Sequence, residues 1–68
     1  LMSLDLHGIK HADVDRIVEN FILLNNTPLN IITGKSDIMR HLVTKVLDRN
    51  DMKYDIPYYN AGMIKVIG

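Results

Sequence analysis

Twice in this chain a short apolar run ends at a glycine and passes into an amphipathic stretch. Leu4-Asp5-Leu6-His7-Gly8 precedes residues 11–25, and Leu29 to Gly34 precedes a second stretch that ends near Asn50. Strand side chains repeat every two residues and helix side chains every 3.6, so each change of period marks a strand-to-helix junction. On the first strand Leu4 and Leu6 face one side while Asp5 and His7 share the other. If a right-handed helical crossover joins the two strands as parallel neighbours, their carboxyl ends lie on one edge of the sheet. Open α/β sheets bind ligands at that edge.

In the first amphipathic stretch Val14, Ile17, Val18, Phe21, Ile22 and Leu24 recur at spacings of three and four, which predicts a helix over 11–25. Asp13 and Asp15 suit the positive end of its dipole, and Asn25-Asn26-Thr27-Pro28 stops it. Leu29 to Thr33 reads as a buried strand, and Ser36 or Asp37 caps a second helix that presents Ile38, Met39, Leu42, Val43, Val46 and Leu47. Residues 53–59 and 63–67 read as two strands around an Asn60-Ala61-Gly62 turn, with Pro57 marking the first as irregular or at an edge. The order β-α-β-α-β-β predicts an α/β two-layer sandwich, a four-stranded mixed sheet with both helices on one face. Residues 1–68 are read as a single domain; Leu1 in place of methionine suggests a piece of a longer chain or a start at Met2.

A 68-residue domain buries only about 60% of its unfolded-chain surface, which leaves no room for a large enclosed cofactor site, and no cofactor is expected. The absence of cysteine excludes disulfides and thiolate metal sites and agrees with a cytoplasmic setting. No apolar run approaches the roughly 18 residues of a membrane span. Eight Lys and Arg balance eight Asp and Glu, which argues against binding nucleic acid through bulk positive charge. Affinity for phosphate must come from local placement: Lys10, Lys35 and Arg40 near the carboxyl edge, with Asp48, Asp51 and Asp55 elsewhere.

Gly34-Lys35-Ser36 invites a nucleotide-binding P-loop reading, but that motif needs glycine where this chain has Leu29. Two readings of the turn remain: backbone N–H groups free to bind an anion at a helix start, or a tight turn and nothing more. His7 likewise reads as a structural histidine or as a proton carrier, and Asp5 as a turn cap or as the group that orients it. Their shared face, and the Gly8 that follows at once, favour the pair. His11 and His41 fall at solvent-facing helix positions with no third ligand at metal spacing, so no metal site is expected. Met2, Met39, Met52 and Met63 read as core filling. Tyr54, Tyr58 and Tyr59 raise base stacking as an option, although a core or edge role is expected for at least two of them.

Leu4-Asp5-Leu6-His7-Gly8, Ile31-Ile32-Thr33-Gly34-Lys35 and the final Ala61-Gly62-Met63-Ile64-Lys65-Val66 together resemble the small MutS-related (Smr) domain over essentially the whole chain. The family's Leu-Asp-x-His motif is met in full. Its His-or-Thr-Gly-x-Gly motif is met at Thr33 and Gly34, with Ser36 in place of the second glycine and a shorter loop before the second helix. The resemblance implies a fold like the C-terminal domain of bacterial translation initiation factor three and an endonuclease acting on RNA or DNA. Its partners would be nucleic acid, a ribosome or a fused domain, and not a membrane. It also implies that Asp5 and His7 are catalytic and that Thr33, Gly34 and Lys35 hold the phosphate. The residues themselves add Gly8, Lys10, Ser36 and Arg40 as candidate phosphate or nucleic-acid contacts. The alternative is a non-catalytic nucleic-acid or ribosome-binding module of the same fold; a protein-interaction domain is the third reading.

Overall fold

The computed structural model describes residues 2–68. Its elements are β1 (Met2–Asp5), α1 (His11–Leu24), β2 (Leu29–Ile32), α2 (Asp37–Arg49), β3 (Tyr54–Asp55) and β4 (Met63–Val66). The sheet order is β1-β2-β4-β3. β1 and β2 are parallel, and β4 is antiparallel to both β2 and β3. Three strands therefore end on the edge at which β4 begins, and the β1–α1, β2–α2 and β3–β4 connections all meet there.

One core explains the layering. Leu6, Leu29, Ile31, Ile64 and Val66 from the sheet pack with Val14, Val18 and Ile22 of α1 and Met39, Val43, Val46 and Leu47 of α2. Both helices thus cover the same sheet face, as the two apolar stripes predict. The register places Asp5 beside Ile32 and Ile32 beside Met63 on the opposite face. Helix caps follow the local chemistry: the Ser36 hydroxyl accepts from the Met39 N–H at 3.1 Å, which decides between Ser36 and Asp37 as the cap of α2. Lys10 caps α1 without a side-chain bond. Asp13 alone lies in the first turn of α1. Asp15 instead takes a bidentate contact from Arg49 at 2.8 and 2.9 Å, and Arg49 also pairs with Glu19, so a charged clasp ties α1 to α2. The Arg49 guanidinium holds the Asp15 carboxyl below its ordinary pKa.

Three expectations need correction. The strand predicted over 53–59 is only Tyr54–Asp55, because Pro57 has no N–H to continue the ladder and is buried at the head of a loop. Met2 is 56% exposed at the end of edge strand β1; only Met39 is fully in the core, while Met52 packs against its margin. Asp55 stands beside Lys65 on the strand that leads to the carboxyl edge, whereas Asp48 and Asp51 lie at the far end of α2. No helix among the described residues is long and apolar enough to cross a membrane.

Candidate functional site

β1 ends at Asp5, and the Leu6 N–H donates to Ile32 carbonyl oxygen at 2.9 Å as the last ladder bond. Leu6 is fully buried, which turns the residues on either side of it outward. Asp5 Oδ1 accepts the His7 backbone N–H at 2.9 Å and lies 2.6 Å from His7 Nδ1. The backbone N–H of His7 is the main cause that holds the Asp5 carboxyl below its ordinary pKa, with the imidazole contact adding to it. An ionised carboxylate only accepts, so Nδ1 carries the proton and, in the neutral ring, Nε2 keeps its lone pair.

Nε2 faces the second junction. A Cβ placed on Gly34 would lie 3.2 Å from His7 Nε2, so the imidazole edge rests against the glycine turn after β2. Gly34 has φ +70°, and the next residues, Lys35 and Ser36, lead into α2. Pairing of β1 with β2 brings Asp5, His7 and Gly34 together from opposite sides of a long stretch of chain.

The other candidate residues occupy distinct positions around this contact. Gly8 has φ +78° and open space where a side chain would be. Lys10 and Lys35 are exposed beside the starts of α1 and α2 and form no ion pair with a described residue. Thr33 is buried, and its hydroxyl donates to Gly34 carbonyl oxygen at 2.8 Å. The Thr33 and Gly34 N–H groups both donate to Gly62 carbonyl oxygen, at 2.8 and 3.1 Å. The free backbone donors expected near Gly34 are therefore those of Lys35 and Ser36, which bond to no other described residue. Arg40 donates to Ala61 carbonyl oxygen at 2.8 Å and pairs with Asp37, so it braces the loop before β4 with one edge of its guanidinium.

Asn60, Ala61 and Gly62, a turn by sequence, also form the back wall of the site, where Gly62 carbonyl oxygen accepts from Thr33 and Gly34 and Ala61 carbonyl oxygen from Arg40. Asn60 Oδ1 accepts the Gly62 N–H at 3.1 Å and holds the loop in shape. The signal was topological: a strand paired antiparallel with β2 must begin where β2 ends. His11 and His41 are exposed on the helices, and among the described residues no three His, Cys, Asp or Glu side chains gather as metal ligands. No protein-family model, no curated protein and no solved structure matches the chain.

Proposed function

We propose that this chain is an Smr-like endonuclease that cuts RNA, acting in the cytoplasm on free or ribosome-bound RNA. The observation that carries the reading is the Asp5–His7 contact at 2.6 Å, with Nε2 presented to the Gly34 turn. Asp5 orients the imidazole, and His7 Nε2 takes the proton of the substrate's 2′-hydroxyl. The 2′-oxygen attacks the adjacent phosphorus, the bond to the 5′-oxygen breaks, and the leaving oxygen receives the proton that the imidazolium carries. The Lys35 and Ser36 N–H groups and the Lys35 ammonium stabilise the negative charge on the phosphate.

DNA lacks the attacking hydroxyl and would need an activated water, whereas one carboxylate and one imidazole suffice for RNA. Cleavage of RNA hairpins by purified protein is expected to survive chelator and leave a 2′,3′-cyclic phosphate. It should stop when the nucleotide at the cut carries a 2′-deoxy sugar. Efficient nicking of matched DNA, or loss with chelator reversed by magnesium, would overturn the mechanism.

A second reading, a nucleic-acid-binding module without activity, is favoured by the engagement of the Thr33 and Gly34 N–H groups with Gly62. Protein that shifts labelled RNA in a gel and never shortens it would establish that reading. Either way, Lys35→Ala is expected to weaken polynucleotide binding and to lower its log–log salt slope by about one. An unchanged slope in a salt titration would remove Lys35 from the phosphate backbone.

A further inference from the structure

The β3–β4 loop carries two adjacent, strongly exposed aromatic side chains: Tyr58 is 99% and Tyr59 is 75% accessible. Their rings meet edge to face, with centroids 5.6 Å apart and planes at 86°. The expectation that at least two of the three tyrosines serve the core or an edge therefore fails, since Tyr54 alone packs against the core. Two neighbouring aromatic rings standing in water gain little for the fold beyond their mutual contact, and each leaves a ring face open to a partner.

Their loop is hydrogen-bonded at several points. Pro57 is buried, its carbonyl accepts the Asn60 N–H at 3.0 Å, and the Asn60 carbonyl accepts the Met63 N–H at 3.3 Å. Arg40 fixes the loop to α2 through Ala61, and Gly62 fixes it to the Thr33-Gly34 turn. The loop that carries the rings thus leaves β3 on the sheet edge where the β1–α1 and β2–α2 connections lie, and its far end, at Gly62, meets the Thr33-Gly34 turn. Lys35, exposed and outside any ion pair among the described residues, follows that turn and supplies charge of the sign that a phosphate backbone requires.

We propose that Tyr58 and Tyr59 stack unpaired bases of a single-stranded RNA segment next to the phosphate held at Gly34, and so select unpaired over duplex substrate. Every base has a face that stacks on an aromatic ring, whereas bases inside a duplex already stack on one another. This inference rests on the nucleic-acid reading above. Tyr58 and Tyr59 act as positioning residues, since they reach the substrate away from the reacting atoms.

The test uses a short 2′-O-methyl RNA, which offers no attacking hydroxyl, as a single strand and as a blunt duplex. The chain has three tyrosines and no tryptophan, so stacking is read directly as quenched tyrosine emission. Binding of the single strand is expected to be tighter than binding of the duplex. Tyr58→Ala and Tyr59→Ala should each weaken it roughly ten-fold. The double Phe variant should bind like the parent while losing the emission change. The high exposure of both side chains means that these variants keep the fold, which circular dichroism would check. Parent protein that binds RNA with a Lys35-dependent salt slope, but equally well in the double Ala variant and without quenching, would overturn the stacking role and leave the nucleic-acid reading intact. The tyrosine pair would then belong to a protein contact. Parent protein that binds neither form at low salt would overturn both.

Discussion

His7→Ala is expected to leave a folded protein whose RNA cleavage falls by about 10²–10⁴-fold, the range over which a positioned general acid–base group accelerates proton transfer. The fold should survive because the imidazole is 67% exposed and belongs to none of the core contacts. Asp5→Asn is expected to lose activity comparably, by a different route. The asparagine amide can donate to Nδ1, which stabilises the tautomer with the proton on Nε2 and removes the lone pair aimed at the Gly34 turn. The Asp5 carboxyl has its pKa lowered, chiefly by the His7 backbone N–H, so it stays ionised at and above the ordinary carboxylate range. Whatever Asp5 adds to stability is therefore fully present at neutral pH and is lost only as pH falls through that lowered value. A decline in parent activity well above that range would report another group. Circular dichroism, thermal unfolding and cleavage rates on the same preparations check these expectations; a variant that unfolds would make the pair structural.

The helices and three of the strands were legible because their signals are local. The stripes of Val14, Val18 and Ile22 and of Met39, Val43, Val46 and Leu47 are helical periods in the sequence, and the structure buries those positions. Asp5 and His7 were legible as neighbours from their i, i+2 spacing, although β1 stops at Asp5 and His7 lies in the turn after it, where burial of Leu6 turns both outward. What escaped was non-local. Nothing near Thr33 and Gly34 shows that Gly62 will accept both N–H groups, or that Arg40 will reach Ala61. The clasp of Arg49 on Asp15 joins residues 34 apart and diverts Asp15 from the helix-start role that its position suggested. The short β3 was half legible, because Pro57 signalled an irregular strand without saying that the ladder would stop at Asp55. The two exposed tyrosines follow from that early stop. Alternation would have put Tyr58 on a face with Tyr54, but the chain has left the sheet by then.

Gly34 is where the fold and the proposed chemistry can be separated, because Gly8 provides a matched comparison. Both have positive φ, +70° and +78°, so replacing either with alanine places a side chain in the left-handed region at a similar backbone cost of about 1–2 kcal/mol. Their surroundings differ. A methyl on Gly8 meets nothing within 4 Å, whereas one on Gly34 lies 3.2 Å from His7 Nε2. His7 cannot give way freely, since its other ring nitrogen is held 2.6 Å from Asp5. On the proposed mechanism the added methyl also fills the gap through which the phosphate would approach His7. Both alanine variants should therefore lose similar stability in urea unfolding, while Gly8→Ala keeps cleavage within a few-fold of the parent. Gly34→Ala is expected to lose about ten-fold or more, as misplacement of a reacting group by a fraction of its contact distance commonly does. Gly34→Val adds a β-branched side chain that tolerates positive φ less well and fills more of the gap, so its activity should fall to the level of His7→Ala. Equal cleavage by Gly8→Ala and Gly34→Ala at matched folded fraction would mean that the space between His7 Nε2 and the Gly34 turn is not where the scissile phosphate sits.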